Sequence, residues 1–354
     1  MDIFDIAIIG AGPAGATLAR LLAGKMSAAV IDKKRAVPGG FRKPCGGLLA
    51  PDAQKILSRF NLTLPKDILV DPQIFAVKTL DMQSGRFRYY QRFYMNLDRN
   101  RFDQWLISLI PDSISFFDGI VTAVSRRDGI FYIDYKEGEK THTIAAKRLA
   151  GADGAASAVR SRFFPDHQIR RYISIQQWFA DDHAQPLYSC IIDAAVSDCC
   201  SWLISKDGYT IFGGAFPVHG GRAGFEKQKK ALANFGFFLD KAQRTEACLV
   251  LRPASVGEIC CGSKDIFLLG EAAGLISPSS LEGISWAIDS ACCLADALLK
   301  AEGGAERELA LYKKNLRHLR RKMWFKLAKC PFIYNPNLRD LILRSGIKSI
   351  KMAD

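Results

Sequence analysis

Gly10-Ala11-Gly12-Pro13-Ala14-Gly15 limits what this chain can fold into more than any other stretch. It follows Asp5-Ile6-Ala7-Ile8-Ile9, which reads as a buried strand. Pro13 to Lys25 reads as a helix, and Ala28-Ala29-Val30-Ile31-Asp32 as the next strand. Together they make a βαβ unit, the opening of a parallel α/β sheet. In that context Gly10 permits the tight turn, Gly12 lets a pyrophosphate approach the backbone, and Gly15 lets the helix pack close to the strand. Pro13 and Ala14 open the helix, whose N-terminus turns free N–H groups and the positive end of its dipole toward an anion. Asp32, with Lys33 beside it, ends the second strand 22 residues after Gly10. A carboxylate there accepts hydrogen bonds from ribose hydroxyls; a solvated strand end is the plain alternative. The pattern predicts a dinucleotide site, against the simpler reading of a glycine-rich turn.

Further along, residues 36–50 are rich in Gly and Pro and read as a loop. Phe75, Val77 and Leu80, then Phe87, Tyr89 and Phe93, suggest an antiparallel hairpin over 73–95. Arg101 to Leu109 looks helical, and strand-like segments recur at 119–137 and 143–152. From about 166 to 254 the texture becomes that of antiparallel strands, at 171–179, 187–195, 200–206 and 209–217. The α/β texture returns at Asp265-Ile266-Phe267-Leu268-Leu269-Gly270, a helix follows through Lys300, and two more fill the tail. The expected fold class is α/β: a Rossmann-like nucleotide-binding domain (1–70, 97–165 and 255–300) interrupted by a β-rich lobe (71–96 and 166–254), then basic C-terminal helices (301–354).

Two more motifs sharpen the reading. Gly151-Ala152-Asp153-Gly154 is followed by Ser157, Val159 and Arg160, and Gly270-Glu271-Ala272-Ala273-Gly274 by Pro278 and Glu282-Gly283-Ile284. With the first, in this order, they resemble the FAD-dependent family of aromatic hydroxylases, flavin halogenases and geranylgeranyl reductases. The resemblance implies one FAD, with Asp153 in a segment shared between the FAD and NAD(P)H sites. It implies Glu271, where the family usually has Asp, on the flavin-side ribose or ribityl chain, and Gly283 and Ile284 beside the isoalloxazine. Lys43-Pro44-Cys45-Gly46-Gly47 is similar to the KPCGG loop of the geranylgeranyl reductases, and Asp98-Arg99 with Phe102-Asp103 to their DRxxFD segment. These likenesses imply Cys45, Gly46, Gly47 and Arg99 at the cofactor. Leu281 stands where that group usually has Gly. Leu48 to Gln54 and Ser279 to Ser285 resemble the bacterial CbrA group, over nearly the whole chain.

The implied function is that of an FAD-dependent oxidoreductase passing a hydride from reduced flavin N5 to a carbon–carbon double bond of an isoprenoid or lipid-like substrate, with NAD(P)H as a transient donor. A monooxygenase using NAD(P)H and oxygen is the first alternative, and a flavin-binding resistance factor without turnover the second. The reductases' YxWxFP segment is here Cys200-Ser201-Trp202-Leu203-Ile204-Ser205, so Trp202 is retained without the first aromatic and the Pro. The candidate catalytic residues are Cys45, Gly46 and Trp202. Against them, Cys45 reads equally as a small residue filling a tight loop, and Trp202 as core. Lys43 reads as a partner for an anionic flavin or substrate phosphate, or as a solvated loop lysine. Trp178, Phe179, Trp202, Phe212 and Phe216 suit either a cavity wall or a sandwich core.

Composition excludes several classes. The ten cysteines, three pairs of them adjacent in sequence, form no CxxC and read as reduced thiols of a cytosolic protein. His142, His167, His183, His219 and His318 show no metal-ligand spacing, so no metal is expected. No basic n-region precedes an apolar run, so no signal peptide is expected. The net charge is +13, and 301–354 holds 13 Lys/Arg against 5 Asp/Glu. No nucleic-acid motif accompanies that excess. Leu309, Leu316, Leu319, Met323 and Leu327 fit one face of a single tail helix. Its basic face, with Arg339, Arg344, Lys348 and Lys351, is either a solvated surface or a peripheral contact with the inner face of a membrane.

Overall fold

The computed structural model describes residues 2–33, 43–181, 185–302, 304–346 and 349–351. The first part of the expected 36–50 loop, His183 and Lys348 lie outside the described residues. Nine helices are described: α1 (Pro13–Leu22), α2 (Pro51–Arg59), α3 (Arg99–Ser108), α4 (Ala158–Phe163), α5 (Gly221–Ala231), α6 (Ile284–Lys300), α7 (Ala305–Asn315), α8 (Arg317–Tyr334) and α9 (Pro336–Ser345).

A six-stranded sheet runs in the order Gly262–Ser263, Ile266–Leu268, Leu149–Gly151, Ile6–Ile9, Ala28–Asp32, Ser115–Asp118. Its pairings are parallel except at the Gly262–Ser263 edge. Ile6, Ala7, Ile8, Ala29, Val30 and Phe267 are fully buried, as strands covered on both faces must be. α1 crosses between the first two strands so closely that a Cβ on Gly15 would lie 1.8 Å from the Gly10 carbonyl oxygen. α1 ends at Leu22, before the expected Lys25, because Gly24 turns the chain at φ +71°.

A four-stranded sheet (Ile3–Phe4, Lys140–Ala146, Ile130–Glu137, Ile120–Arg127) lies beside it. The strand-like stretch expected at 119–137 is divided where Asp128 and Gly129 both take positive φ, the two-residue turn that matches strand twist, and that expected at 143–152 is divided between Ala146 and Leu149.

The third sheet has eight strands: Arg244–Leu251, Arg171–Ala180, Tyr209–Pro217, Cys200–Lys206, Leu187–Ile192, Ile74–Asp81, Phe87–Asn96, Leu48–Leu49. Leu187–Ile192 pairs parallel with Ile74–Asp81 and so joins the early hairpin to the later strands. On one face Leu80, Ile191, Leu203, Phe179, Phe212 and Phe216 pack against Phe225 of α5. Phe179, Phe212 and Phe216 are therefore core, and the cavity reading of them is corrected; Trp202 faces the other way. The expected hairpin forms, Ile74–Asp81 pairing antiparallel with Phe87–Asn96. Phe75, Phe87 and Phe93 are more than half exposed, while Val77 and Leu80 are buried.

The tail holds three described helices where two were expected. The helix expected through Leu309–Leu327 is broken at Leu316, which ends α7 and precedes α8. Its apolar stripe still packs inward: Leu316, Leu319 and Met323 are fully buried in the main core. Asn335 caps α9 by accepting from Asn337 N–H and Leu338 N–H, and Pro336 takes the first helical position. No described helix is long and apolar enough to cross a membrane.

Candidate active site

One cavity of about 1130 Å³ begins at the glycine turn and ends under α8 and α9. Ordinary small-molecule pockets run to roughly 300–1,000 Å³, so this one can take a dinucleotide and part of a second ligand. Gly10, Gly12, Pro13, Ala14, Asp32 and Lys33 line its first end. Gly10 has φ +94°, and a Cβ there would meet the Ala152 carbonyl oxygen at 2.7 Å. Gly12 precedes α1 with no side-chain cap, so the first-turn N–H groups stay free for an anion. One Asp32 oxygen accepts from Ala11 N–H at 2.5 Å. Asp153 Oδ2 accepts from Ala158 N–H (2.7 Å) and Val159 N–H (3.3 Å), while its buried Oδ1 has no partner. Burial raises the Asp153 pKa despite those N–H groups. An unpaired oxygen lining the cavity is a ready acceptor for a ligand hydroxyl.

The Lys43–Leu48 stretch lines the middle. It presses on the eight-stranded sheet: a Cβ on Gly46 would lie 2.7 Å from Ile204 Cδ1, and one on Gly47 would lie 2.4 Å from the Leu97 carbonyl oxygen. Cys45 Sγ accepts from Gly47 N–H at 3.4 Å. The Asp98-Arg99 segment divides its labour. Asp98 caps α3 by accepting from Asn100 N–H (2.8 Å) and Arg101 N–H (2.9 Å), and Phe102 is core. Arg99 is fixed by Asp103 at 2.7 Å. Burial opposes the Arg99 charge, but Asp103 and the adjacent Cys45 outweigh it, so the guanidinium pKa stands above its usual value.

Glu271 is buried and accepts from Leu251 N–H at 2.9 Å, while its other oxygen pairs with Lys43. Burial works against the Lys43 charge and Glu271 overrides it, so the ammonium pKa is raised. Both oxygens of the third motif's acid thus have protein partners, and Lys43 is no solvated loop lysine. Gly283 precedes α6 without a side-chain cap, and with Ile284 it lines the cavity. Leu281 has φ +55°, a left-handed backbone that costs a side-chain residue about 1–2 kcal/mol. That is the physical reason for a usual Gly there.

Trp202 lines the cavity across from Gly46, 3.8 Å from where a Gly46 Cβ would stand. Its cross-strand neighbour is Gly213, and any Cβ there would strike the indole nitrogen at 2.5 Å. The indole N–H is buried and unpaired.

Sequence reasoning missed Lys206. Its buried ammonium donates to Asn96 Oδ1 (2.5 Å), Leu97 O (2.8 Å) and Gly47 O (3.4 Å), holding the Lys43–Leu48 stretch to the sheet. Burial pushes its pKa down to about 8. An unfolded lysine titrates near ~10.4, so between these values the unfolded chain binds more protons than the folded one. This group therefore makes stability rise with pH from about 8 to ~10.4, and below about 8 its desolvation weighs on the fold in full. The stability of the parent relative to Lys206→Met is expected to climb across that window by on the order of 3 kcal/mol. Urea melts at stepped pH read it, and a flat difference rejects a buried, shifted amine.

It also missed Arg88, Tyr90, Arg92 and Tyr94, which line the cavity from the Phe87–Asn96 strand, and the roof formed by α8 and α9. Metal was not expected. Among the described residues, Asp289, Cys293 and His318 bring ligand-type atoms within 4.8 Å of one another, with His318 Nε2 and Asp289 already paired at 2.8 Å.

No family model matches the sequence. The fold, however, recurs in solved flavoproteins. A geranylgeranyl bacteriochlorophyll reductase-like protein from Thermoplasma acidophilum superposes with a TM-score of 0.78 at 17% identity, over 97% of this chain and 91% of that one. PqsL of Pseudomonas aeruginosa, a probable FAD-dependent monooxygenase, gives 0.68 at 18%, over 97% and 100%. CmlS, a flavin-dependent halogenase, gives 0.72 at 17%, over 100% and 69%. The fold is thus that of the FAD-dependent oxidoreductases. Protein CbrA of Escherichia coli O6:H1 is 48% identical over 352 residues, 99% of this chain and 95% of that protein. CbrA of E. coli O157:H7 is 49% identical over 352 residues, 99% of each. The chain belongs to the CbrA family.

Proposed function

We propose that this protein binds one FAD and reduces a carbon–carbon double bond of an apolar organic substrate. The observation that carries the reading is the continuity of the cavity, from the uncapped N-terminus of α1, past the Cys45–Gly47 loop, to the sheet face bearing Trp202. Free N–H groups at α1 and the unpaired Asp153 oxygen fit a dinucleotide, with Asp32 and Lys33 at the adenosine side. When bound, FAD would supply a hydride at N5, with NAD(P)H as the proposed donor. The chain's own part is positioning. Arg99 keeps a fixed positive charge beside Cys45. Gly46, having no side chain, leaves the approach to Trp202 open. The roof of α8 and α9 covers part of the sheet face.

The test is anaerobic reduction of the flavoprotein, then challenge with polyprenyl lipids and mass analysis. A product gaining two hydrogens supports reduction. Gain of one oxygen atom in air supports the monooxygenase, and a flavin that no donor reduces supports a binding factor. Run on Cys45→Ala, the same assay assigns the thiol: full flavin content with an altered reoxidation rate puts it in the chemistry, and an equal rate removes it.

The tail reading is revised on the same footing. Arg339, expected on the basic face, is buried, and Lys322 pairs with Asp52 at 2.8 Å. Yet Trp324, Phe325, Phe332 and Leu341 are each more than half exposed, near the exposed Arg321, Lys329 and Arg344. Aromatics mixed with cations suit an anionic lipid surface, and we propose peripheral docking there. Co-sedimentation with anionic vesicles is expected to exceed that with neutral ones at low salt and to fall at high salt. Equal binding to both removes the membrane from the picture.

A further inference from the structure

Asp289, Cys293 and His318 bring a carboxylate, a thiol and an imidazole to one spot, their ligand-type atoms all within 4.8 Å of one another. Asp289 and Cys293 stand four residues apart on α6, hence on one face of it, and His318 is the second residue of α8. None of the three lines the large cavity, so the cluster is a separate place in the fold.

The break between α7 and α8 builds this place. Asn315, the last residue of α7, is fastened to α6. Its Nδ2 donates to the Cys293 carbonyl oxygen (3.1 Å) and to Asp296 Oδ2 (3.0 Å). The carbonyl oxygen of Asn315 then accepts from His318 Nδ1 at 2.9 Å and lies 3.6 Å from Cys293 Sγ. Facing a carbonyl, Nδ1 is the ring nitrogen that carries a proton. In the neutral ring Nε2 is a bare lone pair, and it points at Asp289 Oδ2, 2.8 Å away. Two acceptors at that distance repel unless a proton or a metal ion lies between them. A backbone carbonyl on the far nitrogen is also how metal-ligating histidines are oriented.

The thiol separates the two cases. A histidine–aspartate ion pair has no use for a cysteine, whereas a borderline-soft ion gains a third donor from it. The surroundings favour a cation as well. Burial foremost, then Asp289, Cys292 and Asp296, pushes the Cys293 pKa up, and no lysine or arginine is among the groups acting on it. Magnesium and calcium take oxygen ligands, so one carboxylate with a nitrogen and a sulfur selects a zinc-type ion. Ligand atoms stand ~2.0–2.3 Å from such an ion, so the three must draw together by roughly 1 Å. His318 is half exposed and free to make that movement.

We propose that Asp289, Cys293 and His318 form a site for one zinc-type divalent cation, with water as the fourth ligand, and that the ion clips the start of α8 to α6. Binding displaces the Cys293 thiol proton to solvent and leaves a metal-bound thiolate. No redox step is involved.

The test is cobalt(II) titrated into the full-length protein after chelation and reduction of its thiols, followed by difference absorption spectra. One equivalent is expected to give the d–d bands of a four-coordinate ion, beyond the flavin absorption, with a thiolate-to-cobalt charge-transfer band. Zinc is expected to abolish both by displacement. Cys293→Ala is expected to lose the charge-transfer band, and His318→Gln, at a half-exposed position, to weaken binding at least tenfold. Cys45→Ser and Cys330→Ser, two of the other partly exposed thiols, are expected to leave the spectrum as it was. Circular dichroism confirms that each variant is folded. In the parent, zinc is also expected to slow hydrogen exchange at the start of α8, and in His318→Gln to leave it unchanged. A spectrum without thiolate ligation overturns the proposal, and so does one that survives Cys293→Ala. Undiminished affinity in His318→Gln overturns it too, by assigning the metal to other thiols.

Discussion

Gly12→Val is expected to yield a folded protein without flavin. Gly12 sits at φ −69° and ψ −175°, an extended conformation that valine adopts readily, so the backbone bears no strain from the change. The new side chain stands at the entrance to α1, where N–H groups and helix dipole would otherwise meet the pyrophosphate. Flavin content is expected to fall from about one per chain to near nothing, with the circular dichroism spectrum unchanged. A Gly12→Val protein with a full complement of FAD would place the phosphates elsewhere. Gly15 makes the contrast. Its Cβ would penetrate the Gly10 carbonyl, so Gly15→Val should fail to fold at all.

A large stability effect in a protein that still folds is expected at Arg339. Its guanidinium donates to Asp81 (2.7 Å), Gln83 Oε1 (2.8 Å) and the Ile333 carbonyl oxygen (3.0 Å), and both Arg339 and Asp81 are buried. Truncation leaves an uncompensated carboxylate in the interior, which costs about 3–5 kcal/mol. Arg339→Ala is expected to lower the urea midpoint accordingly, and Arg339→Leu/Asp81→Leu to recover much of the loss because neither charge then remains. A loss below ~1 kcal/mol would mean that α9 detaches before the rest unfolds, and hydrogen exchange confined to α9 would show it.

The parallel sheet around Ile6–Ile9 was legible because its signals are local. A short apolar run with glycines following at fixed offsets reads as a covered strand running into a turn. The DRxxFD segment was legible as a motif, but its internal roles were not. That Asp98 caps α3 while Asp103 holds Arg99 depends on which way α3 leaves the strand. The hairpin was legible as a pair of strands, but alternation shows only that two faces differ, not which one turns inward. Lys206 carried no sequence signal, since its partners Gly47, Asn96 and Leu97 lie over a hundred residues away. Likewise the tail's apolar spacing fitted one helix because a single residue at Leu316 breaks the axis without breaking the stripe.

The roof over the cavity has a bearing on how the holoprotein is made. Every other wall, from Gly10 to Ile284, precedes α8 in the chain, so the ribosome delivers the trough before its cover. At roughly 5–20 residues per second, the stretch between α6 and the end of α9 takes seconds to emerge. During that interval the end of the cavity at the glycine turn is already complete, while the sheet face bearing Trp202 stands open to solvent until α8 and α9 fold across it.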